Sequence, residues 1–180
     1  MDHEQDKDRR EKLTSWISPP KNYIKLNVDA VVSQTFTSLA MVARNEFGEV
    51  LKLWVKIHDL CTPTQAEVAA ILWALNLAIA ENWCNIIVEG DSKICFDALS
   101  KAKDPIDWSI SSIIRDAADM SVSFDNCEFG WVKRSLNSIA YSTAKYAIAL
   151  KVGFLFNNCN LPPPILKAYR QDCCTSCCSA

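Results

Sequence analysis

The segment from Thr62 to Glu89 constrains the fold most, because it joins a long apolar-striped helix almost directly to a short buried strand. Thr62 suits the N-cap, Pro63 the first helical position, and Gln65 completes a capping box. Val68, Leu72, Leu75 and Ile79 recur at helical spacing, and Ile71, Ala74 and Ala78 widen the stripe enough to lie across a sheet. The helix is expected to run to about Asn82. Asn85 to Glu89 then reads N-I-I-V-E, a β-branched run that a crossover would lay parallel to a neighbouring strand. A helix that covers a sheet and returns to it in parallel defines an α/β protein.

Upstream, Ile24, Leu26 and Val28 alternate with Lys25, Asn27 and Asp29, the period of a strand with one apolar face. Leu39 to Ala43 and Val50 to Ile57 are two more apolar runs, separated by Arg44-Asn45-Glu46-Phe47-Gly48-Glu49, whose Asn and Gly supply turn chemistry. Three antiparallel strands are predicted. Beyond the parallel strand, helices are expected from Asp91-Ser92 to about Ser100 and over Ile110 to Met120. A final strand is expected over Phe124 to Lys133 and a last helix over about Leu136 to Lys151. The order predicts a mixed five-stranded sheet, three strands antiparallel and two parallel, flanked by helices.

The chain of 180 residues, 49% of them apolar, suits one domain. Residues 1–15 read as a charged disordered leader, 16–156 as the domain, and 157–180 as a Pro/Cys-rich tail; disorder is expected for Met1 to Lys12 and for Gln171 to Ala180. The formal charge of −2 excludes binding to nucleic acid by bulk positive charge, so any such contact must be local or metal-assisted. The longest uncharged apolar stretch, the 13 residues Val68 to Ala80, reads as a core helix because it falls short of the ~20 residues that span a bilayer. With no apolar segment in the charged leader, the expected address is intracellular. Cys61, Cys84, Cys95 and Cys127 are scattered and read as small reduced residues, whereas Cys173, Cys174, Cys177 and Cys178 read as a flexible tail open to oxidation or lipidation.

Three carboxylates carry the candidate chemistry. Asp29 lies within a strand, where a charge is costly unless paired or bound to metal; the competing reading is an exposed strand end bonded to a turn. Glu67 lies near a helix start and could equally cap it from Thr64, and Asp91 could equally be an N-cap. If the first and fourth strands are neighbours beneath the Glu67 helix, all three converge on one cleft and require a cation. Their hard oxygens select Mg²⁺ or Mn²⁺, and such clusters hold two ions for phosphodiester hydrolysis.

Trp16-Ile17-Ser18-Pro19-Pro20, Ile24-Lys25-Leu26-Asn27-Val28-Asp29, Ala66-Glu67-Val68-Ala69-Ala70, Val88-Glu89-Gly90-Asp91-Ser92, and Arg134 with Asn137 and Ala140 resemble the plant ribonuclease H-like domains related to retroelement reverse transcriptases. The resemblance runs from Trp16 to Phe156. It implies that Asp29, Glu67 and Asp91 match three of the family's four metal-binding carboxylates. It also implies Mg²⁺ or Mn²⁺ as cofactor and cleavage of the RNA strand of an RNA/DNA hybrid. Asn27, Ser92, Lys133 and Arg134 would then contact sugar and phosphate. Tyr141 stands at the place of the fourth carboxylate, Ala30 where the family has Gly, and no His lies between Trp131 and Asn137.

Two functions follow as expectations: a monomeric metal-dependent ribonuclease, or a nucleic-acid-binding or scaffold module of retroelement origin that kept the fold and lost turnover. In the first, Asp29 and Asp91 bridge or bind the metals while Glu67 binds one and orients water. No small-molecule cofactor or transmembrane segment is expected. A tail-driven attachment to a membrane or partner is a third, weaker idea.

Overall fold

In a computed structural model, which describes residues 14–100, 107–157 and 160–177, one mixed sheet carries helices on both faces. The strands are β1 (Ile24–Val32), β2 (Thr37–Arg44), β3 (Val50–His58), β4 (Asn85–Gly90), β5 (Asn126–Trp131) and β6 (Phe154–Phe156). The helices are α1 (Pro63–Ala80), α2 (Lys93–Ser100), α3 (Trp108–Ser121), α4 (Ser138–Leu150) and α5 (Pro163–Cys177), with a 3₁₀ turn at Arg134–Leu136. The sheet runs β5-β4-β1-β2-β3-β6, parallel where β4 meets β1 and β5, and antiparallel elsewhere.

Local chemistry sets the elements that the sequence anticipates. Thr62 and Gln65 form the reciprocal capping box that starts α1. The β2–β3 turn is closed by Asn45, whose Oδ1 accepts from the backbone of Phe47 and Glu49 while Gly48 takes a φ of 77°. By length and composition α1 passes as a membrane-crossing helix. Its apolar stripe is instead spent on the sheet: Ala66, Val68, Ile71, Ala74, Leu75 and Ala78 are buried with Leu26, Val28, Met41, Ile86 and Val88 of the strands and Ile110 and Ile114 of α3. On the opposite face, Ala40, Val42, Leu53 and Val55 pack with Ile139, Ala140, Ala144 and Ala147 of α4 and Ile165 and Ala168 of α5.

Two expectations are corrected. The sheet has six strands, because the chain leaves α4 through Lys151 in the left-handed region, passes close to the Val55 carbonyl at Gly153, and pairs Phe154–Phe156 with Leu53–Val55 of β3. Within the Pro/Cys-rich tail, Pro163–Cys177 forms α5, so that Gln171 to Cys177, expected to be disordered, is helical; Ile165 of this helix is fully buried against the second core and Asp172 holds a buried ion pair with Arg44. The leader Met1 to Lys12 and residues 178–180 lie outside the described residues.

A related difference concerns β1. Its polar positions Lys25, Asn27 and Asp29 are all buried, as is Arg44 on β2. Trp16 meets Lys25, Asn27 and Arg44, its ring centre 3.6 Å from Arg44 Cζ, and α5 reaches Arg44 through Asp172. Asn27 accepts from Trp16 Nε1 at 3.0 Å and from Arg44 Nη2 at 2.8 Å, and Lys25 pairs with Glu89 at 2.9 Å. Lys25, Asn27 and Arg44 thus form a buried network in which both cations are paired, while Asp29, further along the strand, is not part of it.

Candidate metal centre

The parallel ladder between β1 and β4 ends at Asn27–Glu89, and Asp29 and Asp91 each stand two residues beyond that pair. Both carboxylates therefore come from neighbouring strands where the two backbones have ceased to bond. Gly90 permits this approach: a Cβ there would lie 2.7 Å from Phe96 Cε2 and 3.1 Å from the Val28 carbonyl oxygen. Glu67 reaches the same place from the start of α1. One oxygen from each of Asp29, Glu67 and Asp91 lies within 4.8 Å of the other two. Asp29 is fully buried, which removes its reading as an exposed strand end, and the cap of α1 is Thr62 with Gln65, which removes the reading of Glu67 as the partner of a Thr64 cap.

The electrostatics of the cluster are unfavourable without a cation. Asp29 Oδ1 accepts from the Ala30 backbone at 2.8 Å, whereas Asp29 Oδ2 and Glu67 Oε2 are buried with no hydrogen-bond partner. Burial, and then the Asp91 charge, push the Asp29 carboxyl up to about 7, against the pull of the Ala30 N–H. Burial and the charges of Asp29 and Asp91 push Glu67 well up too. Two orphaned buried oxygens facing a third carboxylate, all hard donors, fit a divalent cation such as Mg²⁺ or Mn²⁺.

Asp91 is held differently. Its Oδ2 accepts from Arg134 Nε at 2.6 Å, and its backbone carbonyl accepts from Trp131 Nε1 at 3.1 Å. Arg134 in turn lies against the Tyr141 ring, with its Cζ 5.2 Å from the ring centre, while Lys145 Nζ stands 5.6 Å from the same centre. Tyr141 thus meets the cluster through Arg134.

Of the residues expected to contact nucleic acid, Arg134 and the adjacent Lys133 are exposed beside the cluster, and Ser92 is half-buried with its hydroxyl 3.0 Å from Cys95 Sγ. Asn27 is corrected: it is fully buried and its side chain is spent on Trp16 and Arg44, so it presents nothing to a ligand. Asn137 is the residue whose role the sequence does not disclose. Standing at the start of α4, it leaves its own helix uncapped and donates from Nδ2 to the Val28 carbonyl at 2.8 Å, fixing the backbone next to Asp29. An Asn one residue ahead of a helix reads as a cap, which conceals that reach.

An α/β sheet of this order, with two carboxylates where its parallel strands β1 and β4 part and a third reaching them from α1, defines a ribonuclease H-like fold carrying an acidic cluster able to bind metal. The reverse transcriptase-like family model matches residues 27–147, more than half of the chain, and the protein belongs to that family. The structure superposes on ribonuclease H1 from the halophilic archaeon Halobacterium salinarum with a TM-score of 0.66, at 22% identity, over 71% of this chain and 98% of the other. It also matches the N-terminal RNase H domain of a Mycobacterium tuberculosis protein (TM-score 0.65, 18% identity, 71% and 94% covered). A third match is a compost-derived ribonuclease H1, LC11, in complex with an RNA/DNA hybrid (0.64, 17%, 71% and 98%). At these identities the likeness establishes the fold. Among curated proteins, none matches the chain.

Proposed function

We propose that the chain is a metal-dependent ribonuclease H that cleaves the RNA strand of RNA/DNA hybrids. The observation that carries this reading is the pair of buried, unpartnered oxygens on Asp29 and Glu67 close to Asp91, because a divalent cation satisfies that arrangement with the acids ionised, where otherwise they must hold protons. Asp29, Glu67 and Asp91 would hold Mg²⁺ or Mn²⁺. The chemistry such an ion supplies when bound is activation of water and stabilisation of the leaving oxygen in phosphodiester hydrolysis. Asn137 keeps Asp29 in place through the Val28 carbonyl. Arg134, its side chain 67% exposed, and Lys133 offer donors to backbone phosphates beside the cluster, the local positive charge that an acidic chain needs to take up nucleic acid. That the LC11 ribonuclease H1 of like fold is held on an RNA/DNA hybrid supports this choice of substrate.

Tyr141 in place of a carboxylate favours a second reading, a nucleic-acid-binding or scaffold module of retroelement ancestry whose turnover is weak or lost. Incubating the chain with a labelled hybrid in Mg²⁺ and then Mn²⁺ separates the two. Cleavage that disappears in Asp29→Asn supports the ribonuclease. Hybrid binding without cleavage under either metal supports the module. An intracellular setting and a monomeric state complete the proposal.

A further inference from the structure

Three carboxylates and one guanidinium meet at the end of β1 and β4. With the carboxylates ionised, their sum is two negative charges, the complement of one divalent cation rather than two. Asp91, whose side chain is 7% exposed, accepts from Arg134 at 2.6 Å, and the Tyr141 ring centre lies 5.2 Å from Arg134 Cζ. The Asp91 oxygen that takes this N–H is committed to the guanidinium, and a phenol at position 141 is a poor ligand for a hard ion. Bridging carboxylates and a further ligand are what a two-ion site requires.

Resting on the metal-dependent reading above, we infer that this site takes a single divalent cation, between Asp29, Glu67 and Asp91, and that Arg134 stands in for a second ion. Arg134 is a positioning residue in this arrangement. It fixes which oxygen of Asp91 faces the cation and supplies positive charge on the Tyr141 side of the site.

Calorimetric titration of the full chain with Mn²⁺, and separately with Mg²⁺, tests this. Wild type binds one ion. In Arg134→Gln the first ion binds on the order of tenfold more tightly, the scale of removing a partly screened unit charge a few ångströms away, and a second, weaker ion enters. Arg134→Lys keeps the charge and stays at one ion. Since Arg134 is exposed, neither substitution disturbs the core, and matching far-UV spectra verify this. Two ions of comparable affinity on wild type overturn the inference and leave the metal-dependent reading intact. An ion bound by Arg134→Gln but not by wild type also overturns it, because the guanidinium would then replace the metal altogether. No ion on either protein overturns the inference and the metal-dependent reading together.

Discussion

Arg44 on β2 and Asp172 on α5, 128 residues apart, form a buried ion pair at 2.8 Å, and the other oxygen of Asp172 accepts from Ser138 at the first residue of α4. The C-terminal helix is thereby tied to the strand layer and to the helix that starts beside Asn137.

Breaking that pair from one side strands a charge. Asp172→Ala leaves the Arg44 guanidinium buried with Asn27 as its remaining side-chain acceptor. The expected loss is about 3–5 kcal/mol in denaturant unfolding, whereas replacing both partners with apolar residues, Arg44→Met with Asp172→Leu, recovers most of it. Equal destabilisation by the single and double variants would show that packing, rather than the stranded charge, carries the loss.

How much of this was readable in advance follows from the range of the interactions. The capping box at Thr62 and Gln65, the helical stripe of α1 and the alternation in β1 are local patterns, and the elements built on them fall where the sequence places them. The three carboxylates were identifiable because an acid within a strand, one on a helix and one at a strand end need only the topology to converge. What local pattern could not reveal is who covers a polar stripe. Lys25, Asn27 and Arg44 look solvent-facing until Trp16 and Asp172, from opposite ends of the domain, close over them. The three-residue β6 is too short for periodicity to register, and its pairing depends on the β3 edge being open. Arg134 reads as a surface cation for the same reason: its partner Asp91 is 43 residues away.

Gly90 should tolerate no side chain. An added Cβ would press on the Phe96 ring at 2.7 Å and on the Val28 carbonyl at 3.1 Å, and that carbonyl is already held by Asn137. Gly90→Ala is therefore expected to cost about 1–3 kcal/mol, the usual range for overpacking, and to weaken metal binding by displacing Asp91 from Asp29. Melting curves with and without Mn²⁺ report both effects. A variant as stable as wild type would show that Phe96 has room to move.

The carboxylate cluster makes the metal-free protein sensitive to pH in a defined direction. Asp29 has its folded pKa raised to about 7 by burial and by Asp91, from an ordinary value of 3.8. A raised acid contributes stability that is fully present below the unfolded pKa and is lost as pH rises through the folded one. Chelator-treated protein is expected to lose stability between about pH 4 and pH 7, at up to about 1.4 kcal/mol per pH unit for one proton. Mn²⁺ binding, which must displace that proton, tightens over the same interval. Asp29→Asn should flatten the slope, raise metal-free stability at pH 8 and lower metal affinity. A slope in the variant as steep as in wild type would place the titrating group elsewhere.

Tyr141 offers the most direct test of what the site lacks. It lies on α4 against Arg134, and Arg134 in turn engages Asp91, so a carboxylate at 141 would act on the cluster in two ways. It would add a hard oxygen ligand, and it would compete for the guanidinium and so release Asp91 Oδ2 towards a cation. Wild-type cleavage is accordingly expected to be slow and to favour Mn²⁺, which tolerates irregular coordination better than Mg²⁺ with its demand for near-ideal octahedral geometry. Tyr141→Asp should raise the Mg²⁺-supported rate by about tenfold or more, equivalent to roughly 1.4 kcal/mol of transition-state stabilisation. Tyr141→Phe, which keeps the ring against Arg134 and removes only the hydroxyl, should leave the rate near wild type. Hybrid-cleavage kinetics on the three proteins decide the matter. If wild type and Tyr141→Asp are equally inactive under either metal, the missing carboxylate is not the limiting defect, and the cluster serves binding rather than turnover.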